Sequence, residues 1–171
     1  MVKITPSTTK TLRNQHGATL VYVAIVMTVL IMFTALAIDV GHLYGVRNEL
    51  QNSADAGALA GTALLFNSDG SLNVQGAIDE AQRISGTNRT GNQAVGQITV
   101  ETGHWSFATS SFTANPTPEQ ADWQERPFSE LDADTDYINA VRVKTDRSNT
   151  PSLFAGIFGI DVFSVTADAV A

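Results

Sequence analysis

Carboxylates gather at regular spacing in one short stretch, "ELDADTDY", where Asp132, Asp134 and Asp136 alternate behind Glu130. Alternating acids present several oxygens to a hard cation such as Ca²⁺. A calcium-binding helix–loop–helix also needs a glycine at its sixth position and a glutamate at its twelfth. Counted from Asp132, those positions hold Tyr137 and Val143. The stretch therefore reads as a solvated acidic loop, with a looser calcium site at Asp132, Asp134 and Asp136 as the alternative. The histidines, His16, His42 and His104, are too scattered to share a metal. His104, next to Trp105, reads as a strand residue. No nucleophile-elbow, zinc-protease or phosphate-loop spacing occurs. There is no cysteine, so disulfides and thiolate metal sites are excluded. The expectation is a non-enzyme without a cofactor.

The elements around these residues point elsewhere. The net charge of −7 is unevenly placed: Lys3, Lys10 and Arg13 precede Ala18 with no acid among them. The remainder carries about −10, from 7 basic and 17 acidic residues. Such an acidic body repels phosphate, which argues against nucleic acid as a partner. Ala18 to Ile38 is free of charge. As a helix it spans about 31 Å, the thickness of a bilayer's hydrocarbon core. Its Leu, Ile, Val and Phe residues favour insertion by up to about 3–7 kcal/mol. The basic tip orients residues 1–17 to the cytoplasm, 18–38 across the membrane and the acidic remainder outside. A cleaved signal peptide is the rival reading, since Ala35-Leu36-Ala37 has small-x-small spacing. Its apolar core is too long for that class, and helical periodicity runs through the cut.

On a helical wheel Leu43, Val46, Leu50, Ala54, Gly57, Gly61 and Leu64 share one face, opposite Asn48, Asn52 and Asp55. One helix is thus expected from about Ala18 to Phe66, leaving lipid at Asp39. Asp39 then marks the interface, with a proton-relay role as the alternative. Each glycine inside a helix costs about 1 kcal/mol against alanine. Four of them in two four-residue spacings call for close packing. Gly57 and Gly61, on the apolar stripe, suit the chain's own domain. Gly41 and Gly45, on the other side, suit a partner helix or a bend at the interface.

The stretch from His16 to Leu65 resembles the N-terminal region of TadE/TadG-like proteins of the tight-adherence (Flp) pilus system. Gly17-Ala18 opens the apolar run, Ile38-Asp39-Val40-Gly41 closes it, and "LQNSADAGALAG" (Leu50–Gly61) follows. Looser likeness extends through Gly103-His104-Trp105, Asn139 to Val143, Pro151 to Ala155, Phe158-Gly159 and Val165 to Ala171. Longer members carry an adhesion domain with a D-x-S-x-S metal motif, which this chain lacks.

The second half reads as a small domain, residues 67–171. Asn73 caps a helix that buries Val74, Ala77, Ile78, Ala81 and Ile84 and ends at Gly86. Strands are expected at 97–102, broken by Gly103, at 104–107, at 137–145 and at 162–171, with Phe163, Val165, Ala167 and Ala169 on one face. Residues 113–136 read as an exposed excursion and 152–158 as a short amphipathic helix behind Pro151. The fold class is α+β: a long N-terminal transmembrane helix continuing over 39–66 into a small extracytoplasmic antiparallel sheet, the shape of a pilin.

The resemblance implies a membrane-anchored structural or assembly component of a Flp pilus, minor-pilin-like. Its partners would be membrane lipid and other pilus proteins or like subunits, met through the N-terminal helix. A polymerising filament subunit and an anchored binding module are the alternatives. Gly17 followed by Ala18 is placed like a prepilin cleavage site. Pilins of that pattern carry a glutamate at the fifth position after the cut, to pair the freed amino group. Here Tyr22 stands there. Asp39, about 25 Å further along a helix, is too distant to replace it. The expectation is a chain that keeps its N-terminus.

Overall fold

The computed structural model describes residues 16–90, 93–117 and 126–171. Lys3, Lys10, Arg13 and part of the acidic excursion, residues 118–125, lie outside the described residues.

Helix α1 runs unbroken from His16 to Ala63. Asp39 does not interrupt it. The wheel places its inner face well: Val46, Leu50, Ala54, Gly57 and Gly61 are buried, and Asn48, Asn52 and Asp55 are exposed. At the far end the order shifts. The helix stops at Ala63, Leu64 turns outward and Leu65 enters the core. A bridge between Phe66 and Leu72 closes the turn into α2, Val74–Thr87. Asn73 caps α2, its side chain accepting from the Gly76 N–H at 3.2 Å. The buried residues of α2 are small: Ala77, Ala81 and Ser85. The isoleucines stay half-buried, because α2 lies too close to α1 for large side chains between them.

After α2 come two short strands, β1 (Arg89–Thr90) and β2 (Gln93–Ala94), paired with each other. Four longer strands form an antiparallel sheet in the order β4-β3-β5-β6. They are β3 (Ile98–Ser106), β4 (Ser111–Ala114), β5 (Ala140–Pro151) and β6 (Val162–Val170). One face of this sheet packs on α1 and α2. Val141, Val143, Thr145 and Arg147 of β5 are buried there, while Arg142, Lys144 and Asp146 alternate on the other side. On β6, Ala167 is buried and Phe163, Val165 and Ala169 are half-buried, as the alternation predicts. The core joins Ala54, Ala58, Leu65, Ala77, Ala81, Ile138, Val141 and Val143. The architecture is thus α+β, a long apolar helix carrying a small antiparallel sheet.

Three local expectations change. Gly103 does not end a strand: β3 runs through it in register with β4 on one side and β5 on the other. A Cβ there would press into the Thr113 carbonyl and the Phe112 ring, so glycine permits close strand pairing instead of breaking it. The strand expected at 137–145 begins at Ala140 and runs to Pro151. The expected amphipathic helix at 152–158 is a single 3₁₀ turn, Ala155–Phe158, with no buried residue. It lies in the β5–β6 hairpin loop, where Pro151 ends the strand and Gly159, with φ +80°, closes the turn.

Candidate functional site

Asp39 is where the long helix meets this loop. The side chain is 3 % exposed. Its carboxylate accepts hydrogen bonds from three successive backbone N–H groups: Leu153 at 2.7 Å, Phe154 at 3.1 Å and Ala155 at 2.6 Å. An ionised carboxylate against N–H donors is a strong pairing, and it satisfies amides that the turn leaves open. Burial alone would raise the Asp39 carboxyl. The N–H groups of Leu153, Ala155 and Phe154, with His42 nearby, outweigh it and hold the group below its usual range. The acid at the end of the apolar run is therefore a latch between α1 and a loop more than a hundred residues away in sequence.

Below Asp39 the helix is largely uncovered, with only the β5–β6 loop beside it among the described residues. From Gly17 to Thr34 the side chains described are exposed, and Ala35 is half-covered. Thr28 and Thr34 return their hydroxyls to the carbonyls of Ala24 and Leu30, both at 2.9 Å. These two hydroxyls are thereby satisfied within the helix, as a lipid surround requires.

The glycine pairs stand in different surroundings. A Cβ at Gly57 would overlap the Ser85 hydroxyl and lie 2.9 Å from the Ala81 carbonyl. At Gly61 it would lie 3.0 Å from the Ala77 carbonyl, Ala81 and Val141. Among the described residues nothing lies within 4 Å of such an atom at Gly41, Gly45 or Gly17. Gly17 and Ala18 fall in the first turn of α1.

The acidic stretch is drawn into the fold at the far edge of the sheet. Asp132 accepts from the N–H groups of Phe107 at 2.7 Å and Ala108 at 3.0 Å, and from the Ser106 hydroxyl. The Phe107 N–H is the largest influence holding its carboxyl below the ordinary value, with burial opposing. Asp134 pairs with Arg126 at 2.6 Å, which lowers it likewise, and accepts from the Asp136 N–H. Among the described residues the Asp136 side chain takes a long contact, 3.4 Å, from Asn115. The three acids thus serve separate partners, and among the described residues no group of three metal-ligating side chains forms. His104 is buried behind them. Its Nδ1 lies 2.8 Å from the Tyr137 carbonyl and its Nε2 2.9 Å from the Asp132 carbonyl. His16, His42 and His104 are not brought together: the first two lie on α1 and the third on β3.

The sequence carries no direct signal for the Asp39 latch, because its partners are backbone amides. The indirect signal is a charge-free "SLFAGIFGI", Ser152–Ile160, in an acidic domain.

Two family models cover this architecture. One, described as putative Flp pilus-assembly TadE/G-like, matches residues 17–65, nearly the whole of α1. The other, described as putative Tad-like Flp pilus-assembly, matches residues 54–171, more than half of the chain. The chain belongs to the Tad-like Flp pilus-assembly family. The two matches overlap on the segment where Gly57 and Gly61 of α1 pack against α2. The function of this Tad-like protein lies in Flp pilus assembly, the work of structural and assembly proteins. No curated protein and no solved structure matches the chain.

Proposed function

We propose that the chain is a membrane-anchored structural component of the Flp pilus machinery, with a minor-pilin-like role. Residues 18–38 cross the inner membrane, residues 1–17 face the cytoplasm, and residues 39–171 lie outside. The observation that carries this reading is the charge-free lower half of α1, whose large apolar side chains are exposed below a buried Asp39. A helix apolar all round and left largely uncovered by its own domain suits a bilayer. Other pilus proteins, or like subunits, meet the same helix.

The latch bears on the polymerising alternative. A filament packed through α1 needs a carboxylate for the freed amino group of a neighbour, because an unpaired charge in an apolar bundle is costly. Asp39 is the nearest acid after Gly17, and its carboxylate is already held by three amides of its own loop. That engagement favours an anchored accessory over a major pilin.

The test is the native N-terminus, read by mass spectrometry of protein extracted from membranes and of sheared filaments. The expected result is a chain that retains residues before Ala18 and stays with the membrane fraction. A chain beginning at Ala18 and dominating the filaments would establish the polymerising role instead.

A further inference from the structure

The β5–β6 hairpin does not end at the sheet. Its loop, residues 152–161, reaches back along α1 below the latch. Ser152 closes the neck: its N–H donates to the Asp161 carbonyl at 2.9 Å and its hydroxyl to the Ile160 carbonyl at 2.7 Å. From Ser152 to Ile160 the loop carries no charge. Its large side chains point outward: Leu153, Ile157 and Phe158 are more than half exposed, Ile157 at 79 %.

Phe154, Ile157 and Phe158 form one wall of an apolar groove of about 500 Å³. The other wall is α1 itself, from Thr28 through Met32 to Ile38. That wall covers about 15 Å of helix at 1.5 Å per residue, and all of it lies on the apolar side of Asp39. The loop tip therefore sits level with the charge-free segment. Whatever medium surrounds residues 28–38 surrounds Ile157 and Phe158 as well.

We infer that this loop is a second membrane element, dipping into the outer leaflet beside α1, with lipid acyl chains filling the groove between them. This rests on the membrane reading of α1 given above. Three features single out lipid as the occupant. The groove walls are apolar, with Thr28 and Thr34 satisfied internally. The amides at the start of the loop, which hydrocarbon could not satisfy, are taken up by Asp39. The acids at its neck hold adjacent amides, Asp161 that of Ser152 through its carbonyl and Asp39 that of Leu153, so charge returns where the loop meets the domain, as at an interface between hydrocarbon and water. So large an apolar patch on a free aqueous surface is unusual. Two anchors also fix what one helix leaves free: the domain's tilt and its rotation about the membrane normal.

The chain has no cysteine, so a single introduced one takes a label uniquely. The full chain carrying Ile157→Cys, Phe33→Cys or Thr109→Cys is labelled with an environment-sensitive fluorophore. It is reconstituted in phosphatidylcholine–phosphatidylglycerol vesicles with and without a lipid bearing a doxyl quencher near its ester carbonyl. Blue-shifted emission and doxyl quenching are expected at positions 33 and 157, and neither at the exposed Thr109. Quenching at 33 with red-shifted, unquenched emission at 157 overturns the inference and leaves the membrane reading standing. Blue-shifted but unquenched emission at 157 overturns it in favour of a second protein subunit in the groove. No quenching at either 33 or 157 overturns both readings. Phe158→Cys, run in parallel, guards against a single variant that fails to fold.

Discussion

Ser53 and Ser85 hydrogen-bond reciprocally across α1 and α2: each hydroxyl donates to the other's carbonyl oxygen, at 2.8 and 3.2 Å. Such an exchange needs two helices nearly in backbone contact. Gly57 on α1 and the small residues Ala77 and Ala81 on α2 allow it. Gly57→Val therefore forces the helices apart, with an expected loss of about 1–3 kcal/mol from overpacking. Gly57→Ala offsets part of its clash through helix propensity, about 1 kcal/mol, and should fall between Val and wild type. Urea unfolding of the full chain in detergent measures both. An unchanged midpoint for Gly57→Val would show that the helices do not meet this closely.

The Asp39 latch predicts a pH dependence. Its carboxyl is held below its ordinary value in the folded protein, so the unfolded chain binds the proton more readily. The stability it contributes is present above about pH 4, the unfolded value, and drains away as pH falls through the lower folded value. Asp39→Asn removes that dependence and offers the three amides one acceptor oxygen in place of two. Thermal midpoints of wild type and Asp39→Asn should differ most at neutral pH and draw together as pH falls below about 4. A constant difference across that range would mean the carboxylate does not act through its charge.

How much of this was legible in the sequence follows from what each feature depends on. The long helix, its buried stripe and the Asn73 cap rest on local periodicity and short-range hydrogen bonding, and the pattern carries them. The alternation of β6 is legible for the same reason. Gly103 misleads, because a glycine that breaks a strand and one that admits a neighbouring strand look alike until Thr113 and Phe112 are in place. The latch is invisible because its acceptor is a side chain and its donors are main chain. Polar residues buried on β5, Thr145 and Arg147, defeat a reading that sorts faces by hydrophobicity. Thr145 is kept inside by the Leu50 carbonyl of α1, 3.2 Å away, which only the tertiary fold supplies.

His104 is expected to be structural. Its two ring nitrogens approach two carbonyl oxygens, Tyr137 and Asp132, which hold the segment before β5 against β3. His104→Phe keeps the volume roughly but leaves the carbonyl that the ring N–H serves without this partner in a buried site, at about 1–3 kcal/mol. His104→Gln retains a donor and should lose less. Denaturant midpoints of the full chain rank the three; equal values for Phe and Gln would argue that packing alone sets the cost.

Calcium should leave the protein unmoved. Asp132 is engaged by the amides of Phe107 and Ala108, and Asp134 by Arg126, so an ion would have to displace partners already in place. Isothermal calorimetry on the full chain, with and without prior chelator treatment, is expected to show no micromolar binding. Heat that disappears in Asp134→Ala would instead place a calcium site at these acids.

The last prediction separates the two glycine pairs by what they touch. Gly41 and Gly45 lie on α1 just above the charge-free segment, and a Cβ at either meets nothing described within 4 Å. Within the isolated chain their replacement by alanine should be harmless. Each should stabilise the helix by about 0.5–1 kcal/mol, since glycine inside a helix carries that entropic cost. Their use then lies outside the chain, and close approach of a partner helix is the physical use of such spacing. Gly41→Leu and Gly45→Leu, which add bulk without charge, are expected to leave the unfolding midpoint of the purified chain equal or higher. In cells they should lower pilus assembly and lose cross-links formed from His42→Cys to neighbouring pilus proteins. Wild-type assembly and cross-linking with either leucine would mean that the pair only eases the helix through the interface. A lowered midpoint in the purified chain would instead mean that the pair packs within the chain itself.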